Sequence, residues 1–274
     1  MIDSPIGIFD SGVGGLSILR EIHRLLPAED VLYFADQDHV PYGNRTLSQV
    51  RSYSTEITRY LLSRGAKLIV VACNTASAAA LEHLRQSFSS TPFVGMEPAV
   101  KPAANLTQSG HIGVLATPAT FEGELFASVV ARFASGIQVH QRTVPGLVER
   151  IETADLSSRQ TRELLRQALE PLIAEDIDTL VLGCTHYPFV VPVIKELVGP
   201  GVRVIDPGPA VARQVRRRLD DLDLEAAADR ESTITFITTA KSPRLATLAS
   251  QLIGQPGEMQ SASWQAGRLV GPQA

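Results

Sequence analysis

Two short patterns recur in this chain of 274 residues at nearly the same offset. Residues 6–11 (IGIFDS) resemble residues 112–117 (IGVLAT), and residues 67–75 (KLIVVACNT) resemble residues 179–186 (TLVLGCTH). The first pair is about 106 positions apart and the second about 111. Solenoid repeats have far shorter units, so this long period predicts two related lobes.

Apolar, β-branched runs alternate with amphipathic stretches along the chain. Strands are predicted at residues 6–9, 31–34, 68–72, 93–95, 112–116, 137–143, 180–183, 202–205 and 234–238. Helices are predicted at residues 16–26, 47–63, 76–87, 159–175 and 190–197. Such alternation favours parallel sheets flanked by helices. The predicted fold class is α/β, with two pseudo-symmetric lobes of mainly parallel sheet and a site in the cleft between them.

Two proline-marked joints divide the chain, one near residues 97–102 and the other at residues 206–209. They predict a first lobe made of residues 1–97 together with 209–274, and a second lobe made of residues 98–208. Beyond about Gly254 the periodicity is weak, which predicts a loosely packed extension.

Composition excludes several classes of protein. The 25 basic and 29 acidic residues give a net charge of −4, without the basic stripe that a nucleic-acid partner needs. No apolar run reaches the roughly 18 residues of a membrane span, and the first residues do not resemble a secretory signal. Two cysteines are too few for a disulfide framework and favour a reducing cytoplasm. Neither has the neighbours that a zinc site requires, so no metal is expected.

The two cysteines, Cys73 and Cys184, each end a predicted strand, where α/β sheets bind their ligands. A single cysteine at such a position is commonly a small buried core residue. A symmetric pair followed by polar groups instead indicates two acid/base groups on opposite sides of one substrate. The polar residues are Asn74 and Thr75 after one cysteine, and Thr185 and His186 after the other. A cysteine-protease hypothesis would leave the second thiol unexplained.

An ordinary thiol has a pKa of about 8.5, so a basic cysteine needs electrostatic help. His186 and Asp10 are the nearest candidates in the predicted fold. Asp10 ends the first strand and precedes the glycines of residues 12–15, where it could also cap the next helix. The glycines match neither the dinucleotide pattern G-x-G-x-x-G nor the P-loop, so no nucleotide site is predicted.

Five motifs, taken together and in order, resemble glutamate racemases of the aspartate/glutamate racemase family. They are GIFDSGVGGL from Gly7, PYG from Pro41, ACNTAS from Ala72, GMEPAVKPA from Gly95 and LGCTHYP from Leu182. The resemblance runs from about residue 6 to residue 240. It implies a cofactor-independent interconversion of L- and D-glutamate that supplies D-glutamate for peptidoglycan synthesis.

The resemblance also implies roles for particular residues. Cys73 and Cys184 are the acid/base thiols, and the groups that assist them are Asp10, His186 and Glu152. The α-amino and α-carboxylate groups are held by Ser11, Asn74, Thr75 and Thr185, with the thiols, Asp10 and His186 also in contact with the substrate. The side-chain carboxylate is received by Tyr42 and Gly43, and Pro41 is also a substrate-binding residue. The chain departs from the family pattern at Gln37, where Ser or Thr is expected, and at Val144, where Cys is common.

Two alternatives stay open at this point. One is another two-cysteine racemase or isomerase that acts on aspartate, hydantoins or a maleate-type diacid. The other is a binding or regulatory protein that keeps the fold without turnover, although the two intact thiols favour catalysis. The expected partner is the small-molecule substrate, with no membrane and no direct nucleic-acid contact. The sequence carries no interface signature, and the expected assembly is a homodimer.

Overall fold

The computed structural model describes residues 2–240 and 245–271. The strands in these residues are β1 (Ile6–Asp10), β2 (Val31–Ala35), β3 (Leu68–Val71), β4 (Phe93–Gly95), β5 (His111–Ala116), β6 (Gln138–Arg142), β7 (Thr179–Gly183), β8 (Arg203–Ile205), β9 (Ile234–Thr238), β10 (Glu258–Ser261), β11 (Ser263–Gln265) and β12 (Arg268–Val270). The helices are α1 (Leu16–Leu25), α2 (Leu47–Ser63), α3 (Asn74–Ser87), α4 (Val100–Leu106), α5 (Pro118–Glu122), α6 (Glu124–Phe133), α7 (Leu147–Glu152), α8 (Arg159–Ala174), α9 (Val191–Val198), α10 (Gly208–Asp220) and α11 (Leu245–Ile253). Two short 3₁₀ helices span Tyr42–Asn44 and Tyr187–Val190. Within the described residues, no helix combines the length and apolar character needed to cross a membrane.

The strands form two parallel sheets and a separate hairpin. Sheet A has six strands in the order β10-β9-β2-β1-β3-β4, and sheet B has four in the order β6-β5-β7-β8. All neighbouring strands within each sheet are parallel, whereas β11 and β12 pair antiparallel. The central strands β1, β2, β3 and β7 are buried along their whole length because helices cover both faces. The predicted α/β fold class is confirmed.

The repeated sequence patterns occupy matching places in the two sheets. The first pattern contains β1 in one copy and β5 in the other, and each of these strands pairs directly with the strand that leads to a cysteine. Cys73 therefore comes shortly after β3 in sheet A, and Cys184 directly follows β7 in sheet B. The duplication predicted from the sequence is thus visible as two related sheets.

The proline-marked joints lie between segments that belong to different sheets. Sheet A takes its strands from residues 6–95 and 234–261, and sheet B takes its strands from residues 111–205. Helix α4 packs into the core of sheet B, and α10 packs against α1 beside sheet A. The lobe boundaries at residues 97/98 and 208/209 stay predictions.

The end of the described chain corrects one expectation. Residues after Gly254 are not a loosely packed extension, because β10 pairs with β9 at the edge of sheet A. The hairpin that follows brings the Trp264 ring to 5.1 Å from His39 and 5.6 Å from Tyr53, measured between centroids. Strands of three or four residues contain too few alternations to produce a periodic signal, so the sequence prediction was wrong here.

Two residues that follow strands also cap the next helix. The Cys73 thiol accepts a hydrogen bond from the Ala76 N–H at 3.5 Å at the start of α3, and the Thr117 hydroxyl accepts one from the Thr120 N–H at 3.3 Å at the start of α5. N-capping fixes the direction in which a side chain leaves the backbone. Both side chains are therefore held at the carboxyl edges of their sheets.

Candidate active site

A small cavity lies where the carboxyl edges of sheets A and B meet. Its volume is about 20 Å³, which is enough for about one water molecule. Ten of the sequence-predicted site residues line it, namely Ser11, Pro41, Tyr42, Gly43, Cys73, Asn74, Thr75, Cys184, Thr185 and His186. The other two, Asp10 and Glu152, lie behind this first layer and contact it. Thr117, Val148 and Gly183 complete the lining.

Cys184 belongs to a chain of interacting side chains. Its Sγ lies 3.8 Å from Nδ1 of His186, and Nε2 of His186 lies 2.7 Å from Oε1 of Glu152. Burial by itself would lower the pKa of His186, but Cys184 and Glu152 together raise that pKa well above its ordinary value. Burial would likewise raise the pKa of Glu152, but its hydrogen bonds and the His186 charge lower it. The arrangement favours an imidazolium between a carboxylate and the sulfur of Cys184.

Cys73 lies in a different electrostatic environment. Burial, followed by the charge of Asp10, raises the pKa of its thiol well above the ordinary value, so the neutral thiol is favoured. Asp10 is completely buried, and its Oδ2 accepts the Gly15 N–H at 2.7 Å and the Thr185 hydroxyl at 3.5 Å. Burial raises the pKa of Asp10 as well, although the His186 charge opposes the shift. The two thiols are therefore inequivalent.

The glycine-rich segment after β1 allows the two halves to approach each other closely. A Cβ atom on Gly12 would lie 1.9 Å from Oε1 of Glu152, and one on Gly14 would lie 2.3 Å from Nδ1 of His186. The Val13 N–H also donates to Oε1 of Glu152 at 2.7 Å. These glycines leave room for the carboxylate and imidazole that support Cys184.

Hydroxyl and amide groups line the remainder of the cavity. The Thr75 hydroxyl lies 2.8 Å from that of Thr117 and 3.3 Å from that of Thr120, which links α3 to α5 across the cleft. Asn74 is 4% exposed, yet neither atom of its side-chain amide has a hydrogen-bond partner. A buried, unpaired amide carries a free-energy penalty, and a polar ligand in the cavity would relieve it.

Sequence analysis did not identify Thr117 as a site residue. It appeared only as the last residue of a repeated pattern. Its signal was nevertheless available, because Thr117 follows β5 just as Ser11 follows β1 in the other copy. Residues that follow matching strands in matching sheets reach the same edge.

Asp36 was also missed, and it anchors the loop that carries Pro41, Tyr42 and Gly43. This fully buried carboxylate accepts hydrogen bonds from the hydroxyl of Tyr42 at 2.7 Å and the indole N–H of Trp264 at 2.7 Å. The ring of His39 and the hydroxyl of Thr239 contact it as well. Because the Tyr42 hydroxyl already donates to Asp36, Tyr42 serves the cavity through its ring and backbone.

Metal-ligand geometry is not found around these residues. Over residues 2–240 and 245–271, no group of three or more His, Cys, Asp or Glu side chains is arranged to hold a metal ion. Both cysteines are free thiols. The chemistry that the described residues offer is proton transfer by thiols, with a carboxylate beside one and an imidazole–carboxylate pair beside the other.

The sequence matches one family over most of its length. The family described as Asp/Glu/Hydantoin racemase matches residues 6–215. A glutamate racemase from Ectopseudomonas mendocina (strain ymp) is 48% identical over 256 residues, which cover 93% of this chain and 97% of that protein.

Solved structures show the same relationship. The glutamate racemase isoform RacE1 from Bacillus anthracis superposes with a TM-score of 0.86 at 32% identity, covering 98% of this chain and 100% of that chain. The glutamate racemase from Francisella tularensis, solved in complex with D-glutamate, superposes with a TM-score of 0.84 at 26% identity. That match covers 96% of this chain and 98% of the other.

Proposed function

This chain belongs to the Asp/Glu/Hydantoin racemase family, and from this premise we propose that it interconverts L- and D-glutamate by a two-base mechanism. The observation that carries the proposal is the pair of thiols, Cys73 and Cys184, delivered to one cavity by two related sheets. Racemisation needs one group to remove the α-proton and another to return a proton from the opposite face. Two thiols on opposing walls meet that requirement.

On the Cys184 side, the sulfur lies beside the imidazole–carboxylate pair of His186 and Glu152. An imidazolium at His186, held by the Glu152 carboxylate, stabilises a neighbouring thiolate. A thiolate there removes the α-proton of L-glutamate, and the neutral thiol of Cys73 then protonates the opposite face. The charges balance, since Cys184 becomes a thiol and Cys73 becomes a thiolate.

Cys73 is the base in the reverse reaction, from D-glutamate to L-glutamate. Asp10, whose pKa is raised by burial, is the carboxylate nearest to this thiol along the carboxyl edge of sheet A. When D-glutamate is the substrate, Asp10 takes up the Cys73 proton and the His186 imidazolium gives its proton to Cys184, so that the Cys73 thiolate can remove the α-proton and the Cys184 thiol can protonate the opposite face. The roles of the two thiols are exchanged relative to the forward direction.

Polar groups in the cavity provide the binding contacts. The unpaired Asn74 amide, together with the hydroxyls of Ser11, Thr75 and Thr185, suits the α-amino and α-carboxylate groups. The segment Pro41, Tyr42 and Gly43 is assigned to the side-chain carboxylate. Thr117 is a further binding residue, because its hydroxyl lies beside that of Thr75 across the cleft.

The cavity has to enlarge before a substrate can enter. Glutamate has ten non-hydrogen atoms by its formula, whereas a volume of about 20 Å³ accommodates about one water molecule. The described structure therefore corresponds to a closed state, and binding requires the two sheets with their helices to separate. Closure around the substrate then excludes water from the carbanion-like transition state.

The wider setting follows from the same proposal. The reaction calls for no cofactor, because the two thiols and the surrounding donors supply the acid, the base and the charge stabilisation. D-Glutamate formed in this way would enter peptidoglycan, in cytoplasm that keeps both thiols reduced. The homodimer expected from the sequence stays a prediction.

A circular-dichroism assay with each enantiomer of glutamate and no added cofactor tests the proposal. We expect both solutions to approach the racemic mixture. Aspartate should lose at least about 10²-fold in kcat/KM, because its shorter side chain leaves the polar groups near Gly43 unpaired. Folded protein that changes neither enantiomer of glutamate would overturn the proposal, and faster turnover of aspartate, a hydantoin or a diacid would reassign the substrate.

A further inference from the structure

The Glu152 carboxylate receives hydrogen bonds from both halves of the molecule. His186, which contacts its Oε1, follows β7 of sheet B. The Val13 N–H, also on Oε1, and the Gln37 amide, which donates to Oε2 at 3.2 Å, belong to segments that follow β1 and β2 of sheet A. Two of these three donors therefore reach Glu152 across the cleft.

The orientation of the Gln37 amide follows from its contacts at both ends. The hydroxyl of Thr238 accepts the Ala240 N–H at 3.0 Å and donates its single proton to Oε1 of Gln37 at 2.8 Å. The ionised carboxylate of Glu152 can only accept, so the NH₂ group of Gln37 has to point toward it, and Oε1 is the end that accepts from Thr238. Thr238 itself is fully buried in β9, so the anchor for this amide is rigid.

Gln37 affects His186 through two successive contacts, its own with Glu152 and that of Glu152 with His186. A donor on Oε2 stabilises the ionised form of Glu152, and Gln37 is among the groups that lower the pKa of this carboxyl. The ionised Glu152 in turn favours the imidazolium of His186. The other titratable groups that face His186 are Cys184 and Asp10.

We infer that Gln37 is a positioning residue for the Cys184 half of the reaction, holding Glu152 from the opposite side of the cleft so that the His186–Cys184 pair is assembled when the cleft closes. The inference rests on the proposed racemisation. It assigns to Gln37 a role in one proton transfer and none in the transfer made by Cys73.

The test uses Gln37→Met, which keeps the length of the side chain and removes its donor. The matched control is Gln86→Met, since Gln86 donates to Glu82 at 2.9 Å in the same type of pair on the exposed face of α3. Gln37→Glu, which puts a second carboxylate beside Glu152, provides a stronger perturbation of the same contact.

Isotope effects separate the two halves of the reaction. The equilibrium constant between enantiomers is one, so every variant loses kcat/KM equally in both directions and rates alone cannot distinguish the thiols. If only the Cys184 step is slowed, the primary deuterium effect on kcat/KM rises for α-deuterated L-glutamate and falls for α-deuterated D-glutamate.

For Gln37→Met we expect kcat/KM to fall roughly 5- to 10-fold, with a larger isotope effect for L-glutamate and a smaller one for D-glutamate. Gln37→Glu should change both quantities further in the same direction, and Gln86→Met should change neither. Isotope effects that stay as in the unmodified protein, whether or not the rate falls, would overturn the inference. Absence of racemisation in the unmodified protein would instead overturn the proposed function, and this is seen before any variant is made.

Discussion

Replacing Gly12 with alanine puts a methyl group in the position that the Glu152 carboxylate occupies. The backbone of Gly12 lies outside the left-handed region, so alanine is compatible with its conformation. The perturbation is therefore a contact across the cleft rather than a strained backbone. It acts on the group that holds His186 without altering any side chain in the cavity.

The structure gives the size of the effect. The new Cβ would lie 1.9 Å from Oε1 of Glu152 and 2.6 Å from its Cδ, whereas carbon atoms in contact are about 3.5–4.0 Å apart. The carboxylate would have to move by more than about 1 Å, which breaks its 2.7 Å contacts with Val13 and His186. A hydrogen bond to a charged group contributes about 1.5–3 kcal/mol. At about 1.4 kcal/mol per factor of ten, kcat/KM should fall roughly 10- to 100-fold.

The assay is racemisation of each glutamate enantiomer followed by circular dichroism, with thermal unfolding measured on the same samples. Gly201→Ala is the control, because a Cβ there meets nothing within 4 Å and the substitution changes the unfolded chain in the same way. Glu152→Gln combined with Gly12→Ala should cost no more than the larger single effect, since both act on one contact. Activity of Gly12→Ala within about threefold of the unmodified protein would refute the assignment of Glu152 to the His186 contact.

Three further predictions concern the thiols, the imidazole and the C-terminal hairpin. Cys73→Ser and Cys184→Ser should each abolish racemisation. In D₂O, residual solvent exchange of the α-proton should survive only with D-glutamate in Cys184→Ser and only with L-glutamate in Cys73→Ser. A single mutant that stays nearly fully active would exclude a two-base mechanism. Glu152→Gln should move the alkaline limb of kcat/KM to lower pH. The imidazolium of His186 is present below its raised pKa and is lost as pH rises through it, and removal of the carboxylate lowers that pKa. An unchanged limb would contradict the ion pair. Trp264→Phe should raise KM for glutamate about 3- to 10-fold with a smaller change in kcat, because it removes the indole hydrogen bond to the buried carboxylate of Asp36. Steady-state kinetics with an unchanged KM would show that the hairpin does not support the loop that carries Tyr42 and Gly43.

Much of the fold could be predicted because its signals are local. Buried parallel strands are short apolar runs, and β1, β3, β5 and β7 were each recognised within a residue or two. The capping box of Thr46 and Gln49 likewise starts α2 at the predicted residue. The residues at strand ends could be proposed for the site because parallel strands bring their carboxyl ends to one edge.

The predictions that failed or were missing depend on contacts between distant parts of the chain. Asp36 is a single aspartate after a strand, and nothing near it in sequence indicates that Trp264, 228 positions away, donates to it. The short strands β10 to β12 carry no periodic pattern and acquire their structure by pairing with neighbours already in place. The role of Glu152 could only be taken from resemblance until its contact with His186 was seen.

The sequence by itself determined that this protein would have two related α/β halves, each bringing one cysteine to the carboxyl edge of a parallel sheet. Apolar periodicity and turn residues act over a few positions, so they specify strands and their ends without reference to the remainder of the chain. Only the tertiary structure decided which groups surround each thiol, giving Cys184 an imidazolium and Cys73 a buried carboxylate. The approach of Gly12 and Gln37 to Glu152 depends on how the two halves pack. These residues are more than a hundred positions from Glu152 in the sequence, so no local pattern predicts that their surfaces fit together.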